Sequence, residues 1–274
     1  MSYVINTNVN GLYANAYGRL NQSKIDESME RLSTGLRINR SSDDSAGMQI
    51  ANQLRKQYNG LQQGTKNAND AIGLVQIADS ALSEYQDLLV QARDKAVQAT
   101  SDTNSDEARA ALEEDVKLLM EQADKIAKET QFNGINLLDG SFTDKKFQVG
   151  SESGQTIGMT IDNTDTTSLG VDDASIDLTT QSGADAAIQS FDDAIKQLDS
   201  IRSGIGSTQL ALESRIRVNE TTAVNVKAAE SQIRDADLAE EEEKLNKYSI
   251  LQQANNYALG KSFEQQQMVL QLFR

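Results

Sequence analysis

LRKQYNGLQQGTKNANDAIGLVQIADSALSEYQDLLVQARDKA, residues 54–96, places an apolar or small residue at every seventh position. Leu54, Leu61, Ala68, Val75, Leu82, Leu89 and Ala96 make one row, and Ala71, Ala78, Tyr85, Ala92 and Ala99 a second, three places later. Two rows repeating by seven and offset by three lie along one seam of a helix, which is the coiled-coil pattern. The chain contains no proline to interrupt it. The run therefore predicts one helix about 80 Å long at roughly 1.5 Å per residue. Alanines in the second row leave room for a partner helix to approach closely.

Toward the N-terminus, Val9, Leu12, Ala16 and Leu20, then Ile25, Met29, Leu32 and Leu36, step by threes and fours with one slip. This predicts an amphipathic helix from Val9 to Ile38 with a narrow apolar stripe, weakened at Thr34-Gly35. The polar SSDDS at 41–45 breaks it, and its Ser and Asp residues suit the N-cap of the long helix.

Toward the C-terminus, Asn104, Ser105 and Asp106 start another helix, with Leu112, Val116, Leu119, Ala123 and Ile126 on one face. Residues 131–183 are rich in Gly, Ser, Thr and Asp. Alternation in FQVG and TIGMTID (Phe147, Val149; Ile157, Met159, Ile161) predicts short strands in a hairpin or small sheet. Helical spacing returns with Ile188, Phe191, Ile195, Leu198, Arg202, Ile205, Leu212 and Ile216, and continues through Val226, Ala229 and Ile233. Gly204 and Gly206 fall inside this run at a cost of about 1 kcal/mol each against Ala, which close helix packing would justify. Asp235 and Asp237 mark a second break. A last helix carries Leu238, Leu245, Leu251, Ala254, Leu259, Phe263 and Met268.

The expected fold is mainly α: a long antiparallel helical hairpin or coiled-coil rod, a small β region at about 140–180, and paired terminal helices. The expected domains are 1–40 with 235–274, and 41–234. The oily end, Met268, Val269, Leu270, Leu272 and Phe273, finds a first partner in the stripe Leu12–Leu36. Two short helices bury little on their own, so this tail calls for further copies of the chain.

Composition removes whole classes of chemistry. Cys and His are absent, which excludes disulfides, thiolate metal sites, the common zinc ligands and the usual general base. No EF-hand, GxGxxG or P-loop spacing occurs, so no cofactor is implied. Asp43-Asp44, Glu113-Glu114 and Glu240–Glu243 sit at helix starts or on polar faces, where solvation and the helix dipole account for them. Glu240–Glu243 could also pair with Arg37 or Arg40 near the break. An enzyme is not expected.

The net charge is −15. Residues 1–45 and 238–274 are close to neutral, while 46–237 hold 17 basic and 31 acidic side chains. An acidic middle repels nucleic acid and anionic lipid, and no apolar run reaches the roughly 18–20 residues of a membrane span. MSYVINTNVN lacks the basic and apolar regions of a classical signal peptide. The chain is expected to stay in the cytosol or leave by a route that reads no such signal.

The motifs VINTNVNGL (4–12), ERLSTGLRINRSSDDSAGMQIANQLR (30–55), NANDAIGLVQIADSALSE (67–84), TQFNGINLL (130–138), FQVG (147–150), SQIRDADLAEE (231–241) and ILQQA (250–254) occur in this order. By them the chain resembles a bacterial flagellin, in a short form lacking the large variable outer domains. The resemblance implies a structural subunit of the flagellar filament, secreted through a type III export apparatus, unfolded in transit and self-assembling. Its termini would be disordered in the monomer and fold on association. A flagellin-like hook–filament junction protein is the alternative.

The resemblance assigns the assembly interface to Leu12, Leu20, Met29, Leu32, Leu36, Leu251, Leu259, Phe263, Met268, Leu270, Leu272 and Phe273. It implies copies of the chain, a filament cap and hook-junction proteins as partners. It also implies an export chaperone on Ile250, Leu251, Ala254, Leu259, Met268, Leu270 and Leu272. The family's usual proline near the end is missing around Phe263, so the last helix should run unbroken. Many flagellins are sensed by Toll-like receptor 5 through a segment of pattern LQRxRELxVQ, which matches LVQARDKAVQ at 89–98. Leu89, Arg93, Val97 and Gln98 agree, whereas Gln91, Asp94 and Lys95 depart, so weak or no activation is expected.

Overall fold

The computed structural model describes residues 7–272, with side chains as far as Met268. Five helices and two small hairpins follow in the order α1 (Val9–Thr34), α2 (Ser45–Ala99), α3 (Asp106–Glu129), β1 (Gln131–Phe132), β2 (Ile135–Asn136), β3 (Lys145–Gln148), β4 (Thr156–Met159), α4 (Gln181–Arg234) and α5 (Leu238–Leu272). The chain divides into two compact units, Gln57–Val224 and Met1–Lys56 with Asn225–Arg274.

In the unit 57–224 the heptad rows of α2 make the core. Every predicted position from Leu61 to Ala99 is buried, most of them completely, while Leu54 is half-buried. The facing side chains of α4 include Ala187, Phe191, Leu198, Ile205 and Leu212. Ion pairs and hydrogen bonds record the direction of packing. Asp79 accepts from Arg202 at 2.9 Å, Gln86 donates to Asp199 at 2.9 Å, and Arg93 donates to Asp192 at 2.6 Å. Numbers rising on α2 meet numbers falling on α4, so the pair is antiparallel.

A two-helix hairpin is not the whole seam. Val116, Met120, Ala123 and Ala127 of α3 are buried in the same core. Lys95 of α2 bonds Asp115 of α3 at 2.7 Å, and the Arg109 guanidinium donates to the Ala99 carbonyl at 3.0 Å. Ser105 caps α3, accepting from the Ala108 N–H.

The hairpins sit where the composition changes. β3 and β4 pair antiparallel with Phe147 opposite Ile157, in register with the alternation. β1 and β2 are joined by Asn133-Gly134 with φ of 51° and 78°, the left-handed pair that a two-residue type I′ turn needs. The turn after β3 lies directly on α2 and α4. A Cβ at Gly64 would stand 2.6 Å from the Val149 carbonyl oxygen, and one at Gly60 2.7 Å from Ser151. Asn67 donates to the Gln148 carbonyl at 2.9 Å, and Asn219 to the Val149 carbonyl at 2.7 Å. Glycine here is a matter of space.

Gly204 and Gly206 are different. Close helix packing does not justify them, because a Cβ at either would meet nothing within 4 Å. Both face outward because the buried side of this stretch is taken by Ile205 and Leu212. Gly204→Ala and Gly206→Ala are therefore expected to raise stability by about 0.5–1 kcal/mol each, read by thermal or denaturant unfolding.

In the other unit α1 stops four residues earlier than the periodicity suggests. Gly35 adopts φ 69° and its N–H returns to the Arg31 carbonyl, the left-handed C-cap that ends a helix. Leu36 then leaves the helical stripe and forms an antiparallel bridge with Asp235. The Arg37 N–H donates to the Arg234 carbonyl at 2.7 Å, and Ala236 to Gly35 at 2.9 Å. The two breaks are thus stitched to each other by backbone bonds. Asp44 accepts from the Gly47 N–H and Asp237 from the Ala239 N–H, capping α2 and α5.

Candidate assembly surface

The terminal helices pair antiparallel through small and polar residues. Asn8 caps α1 through Gly11 and also meets α5, bonding Gln266 at 3.3 Å and accepting from Ser262 at 2.9 Å. Midway, a Cβ at Gly18 would lie 2.5 Å from the Asn255 amide nitrogen. At the far end Arg31 reaches Glu241 at 3.2 Å. The buried residues of α1 are Gly11, Gly18 and Ser28.

The buried residues of this seam differ from the expected stripe Leu12–Leu36, and of the oily end expected to meet that stripe the side chain of Val269 lies outside the described residues. The space over Gly18 is filled by the Asn255 side chain, which a larger residue at this position would displace. The bulky residues turn outward instead. Leu12, Leu20 and Met29 on α1, and Leu251, Phe263 and Met268 on α5, are exposed. Leu32, Leu36 and Leu259 are half-buried. The side chains of Leu270 and Leu272, and the whole of Phe273, lie outside the described residues.

Reading by stripe missed Tyr13, Tyr17 and Tyr257, all more than half exposed. Tyr13 and Tyr17 sit one place after Leu12 and Ala16, about 100° around the helix. An aromatic pair four residues apart was the available signal. Of the segment proposed for chaperone contact, Ile250 and Leu251 are exposed, as is Ala254. α5 runs through this region as one helix.

The acidic run beside the break pairs differently from the sequence expectation. Arg40 is joined to Glu30 at 3.0 Å, and Arg37 donates to the Ile233 carbonyl at 2.6 Å. Glu241 turns inward, 3% exposed, and takes Arg31 and Lys244 instead. Successive residues of a helix point about 100° apart, so the inward position belongs to one carboxylate of the four. Burial opposes ionisation of Glu241, but hydrogen bonds from Lys244 and Arg31 outweigh it and hold the group below the usual carboxylate range.

A depressed folded-state value contributes stability above the unfolded value that is lost as pH falls through the folded one. Backbone exchange protection in α1 and α5 is therefore expected to drop as pH falls below about 4. Glu241→Gln should flatten that dependence while costing about 1–3 kcal/mol at neutral pH.

The segment matched to the receptor pattern divides between core and surface. Leu89 is completely buried, and Gln91 and Asp94 are exposed. Arg93 is engaged by Asp192 and Lys95 by Asp115. Gln91, Asp94 and Lys95 line a shallow surface hollow with Asp115, Leu118 and Leu119. Among the described residues no group of three His, Cys, Asp or Glu is arranged for a metal ion, and no helix is long and apolar enough to cross a membrane.

Known proteins give this arrangement a context. Residues 5–143 match the bacterial flagellin N-terminal helical region and 188–273 the bacterial flagellin C-terminal helical region. The chain is 36% identical over 271 residues to the flagellin of Halalkalibacterium halodurans, covering 99% of this chain and 100% of that one. With Bacillus subtilis flagellin it shares 35% identity over 304 residues, 98% of this chain and 99% of that one. The crystal structure of Bacillus cereus flagellin superposes with a TM-score of 0.51 at 28% identity, covering 60% of this chain and 94% of that chain. With both helical regions matched in order and relatives alignable end to end, the chain belongs to the bacterial flagellins.

Proposed function

We infer that the chain is the structural subunit of a flagellar filament outside the cell, and that it polymerises through the outward apolar residues of α1 and α5. One observation carries this reading. Both terminal helices present large apolar side chains to solvent, while the buried residues of α1 are Gly11, Gly18 and Ser28. Patches of that kind mark interaction surfaces. A contact between unlike surfaces that does not close a ring generates an open helical polymer.

Purified protein added to filament seeds should elongate them continuously, as followed by light scattering and electron microscopy. Addition of a few copies followed by arrest would favour the hook–filament junction alternative.

Type III export in an unfolded state fits a chain with neither Cys to cross-link nor Pro to slow refolding. A chaperone covering Ile250, Leu251, Ala254, Leu259, Met268, Leu270 and Leu272 would keep the oily tail from associating early. Filament cap and hook-junction proteins would adjoin the same helices at the two ends of the polymer. Removing residues 235–274 should abolish chaperone binding in a pull-down.

Host recognition would be weak. Toll-like receptor 5 would meet Gln91, Arg93, Asp94 and Lys95 without Leu89, and Gln91→Arg plus Lys95→Leu should partly restore reporter activation.

A further inference from the structure

The methionines among the described residues range from buried to exposed. Met120 and Met159 are core residues, 6% and 5% exposed, packed inside the unit 57–224. Met29 on α1 and Met268 on α5 are 56% and 57% exposed. Met48 lies between these extremes, half-buried with its sulfur 3.4 Å from the Ser41 hydroxyl. Thioether oxidation needs an oxidant to reach sulfur, so exposure sets the order of attack.

We propose that Met29 and Met268, at opposite ends of the α1/α5 pair, are two oxidation sites through which peroxide blocks polymer growth. The reaction is a two-electron oxygen transfer. A sulfur lone pair attacks one peroxide oxygen, the O–O bond breaks, an S–O bond forms, and the other oxygen leaves as water after proton transfer. Sulfur is oxidised to the sulfoxide and hydrogen peroxide is reduced. The product exchanges a flexible apolar group for a strongly polar one on a surface that must be desolvated to associate. The effect on growth rests on the filament reading, whereas the selectivity of oxidation rests on exposure alone. Once the face is covered by another subunit the sulfurs are shielded, so the growing chain and not the finished polymer is the vulnerable form.

The test treats purified full-length protein with dilute hydrogen peroxide and maps sulfoxides by peptide mass spectrometry. Met29 and Met268 are expected to oxidise at least about tenfold faster than Met120 and Met159. Oxidised protein should then extend seeds of untreated protein about tenfold more slowly. A Met29→Leu, Met268→Leu double variant should elongate normally before and after peroxide.

Equal oxidation of core and surface methionines would overturn the proposal. So would undiminished elongation by oxidised protein, or the same slowing in the leucine variant. If untreated protein fails to elongate at all, the filament reading falls, and the peptide map still decides whether the site exists.

Discussion

Leu20→Asp combined with Phe263→Asp should stop elongation of filament seeds. Each wild-type side chain is worth about 1.5–3 kcal/mol when its exposed surface is removed from water. Each introduced carboxylate adds a desolvation penalty unless it finds a cation. Taken at a conservative total of about 4 kcal/mol, the loss corresponds to roughly a thousandfold in subunit affinity.

Both residues are exposed in the isolated subunit and lie outside the unit 57–224, so the main unfolding transition of that unit should be unchanged. Leu20→Met with Phe263→Leu keeps the surface apolar and should retain growth. Elongation by the double aspartate variant at the wild-type rate would show that these helices meet no neighbour. Calorimetry and seeded growth on the same preparations separate a folding defect from an assembly defect.

Leu89→Ala should act through the fold. Leu89 is completely buried within the α2 seam, among Tyr85, Ala92 and the side chains of α3 and α4. Truncation removes its transfer energy and leaves a cavity, about 2–5 kcal/mol for Leu→Ala in a packed core. Gln91→Ala, two residues away and exposed, should shift stability by no more than about 0.5 kcal/mol. Urea unfolding of the two variants provides the comparison. Equal stability of Leu89→Ala and wild type would mean that the heptad seam is not the core.

The parts of the fold legible in the sequence are those governed by short-range periodicity. A seven-residue repeat has one physical consequence, a buried line along a helix, and all of its positions from Leu61 to Ala99 are buried. Caps at Asp44, Ser105 and Asp237 could be read because a side chain three residues from an orphan N–H needs no tertiary partner. The β3–β4 register follows from period-two alternation. The β1–β2 turn is equally legible in Asn133-Gly134.

What the sequence alone determined here is which segments are helical, that breaks separate them near 41–45 and 235–237, and that no thiol or imidazole chemistry is available. Tertiary structure decided which side of each helix faces inward. Hydrophobic periodicity marks an apolar stripe without naming its partner, so Leu12 and Leu20 read as a seam until Gly18 against Asn255 showed the close contact elsewhere. The same limit applies to glycine. Gly64 is pressed against a carbonyl and Gly204 against nothing, a difference made by chain segments more than 80 residues away in one case and absent in the other. It applies to charge as well. Four consecutive glutamates offered one local pattern, and only the placement of Arg31 across the helix pair selected Glu241 for burial, because a carboxylate leaves water only where a cation and hydrogen-bond donors are already waiting.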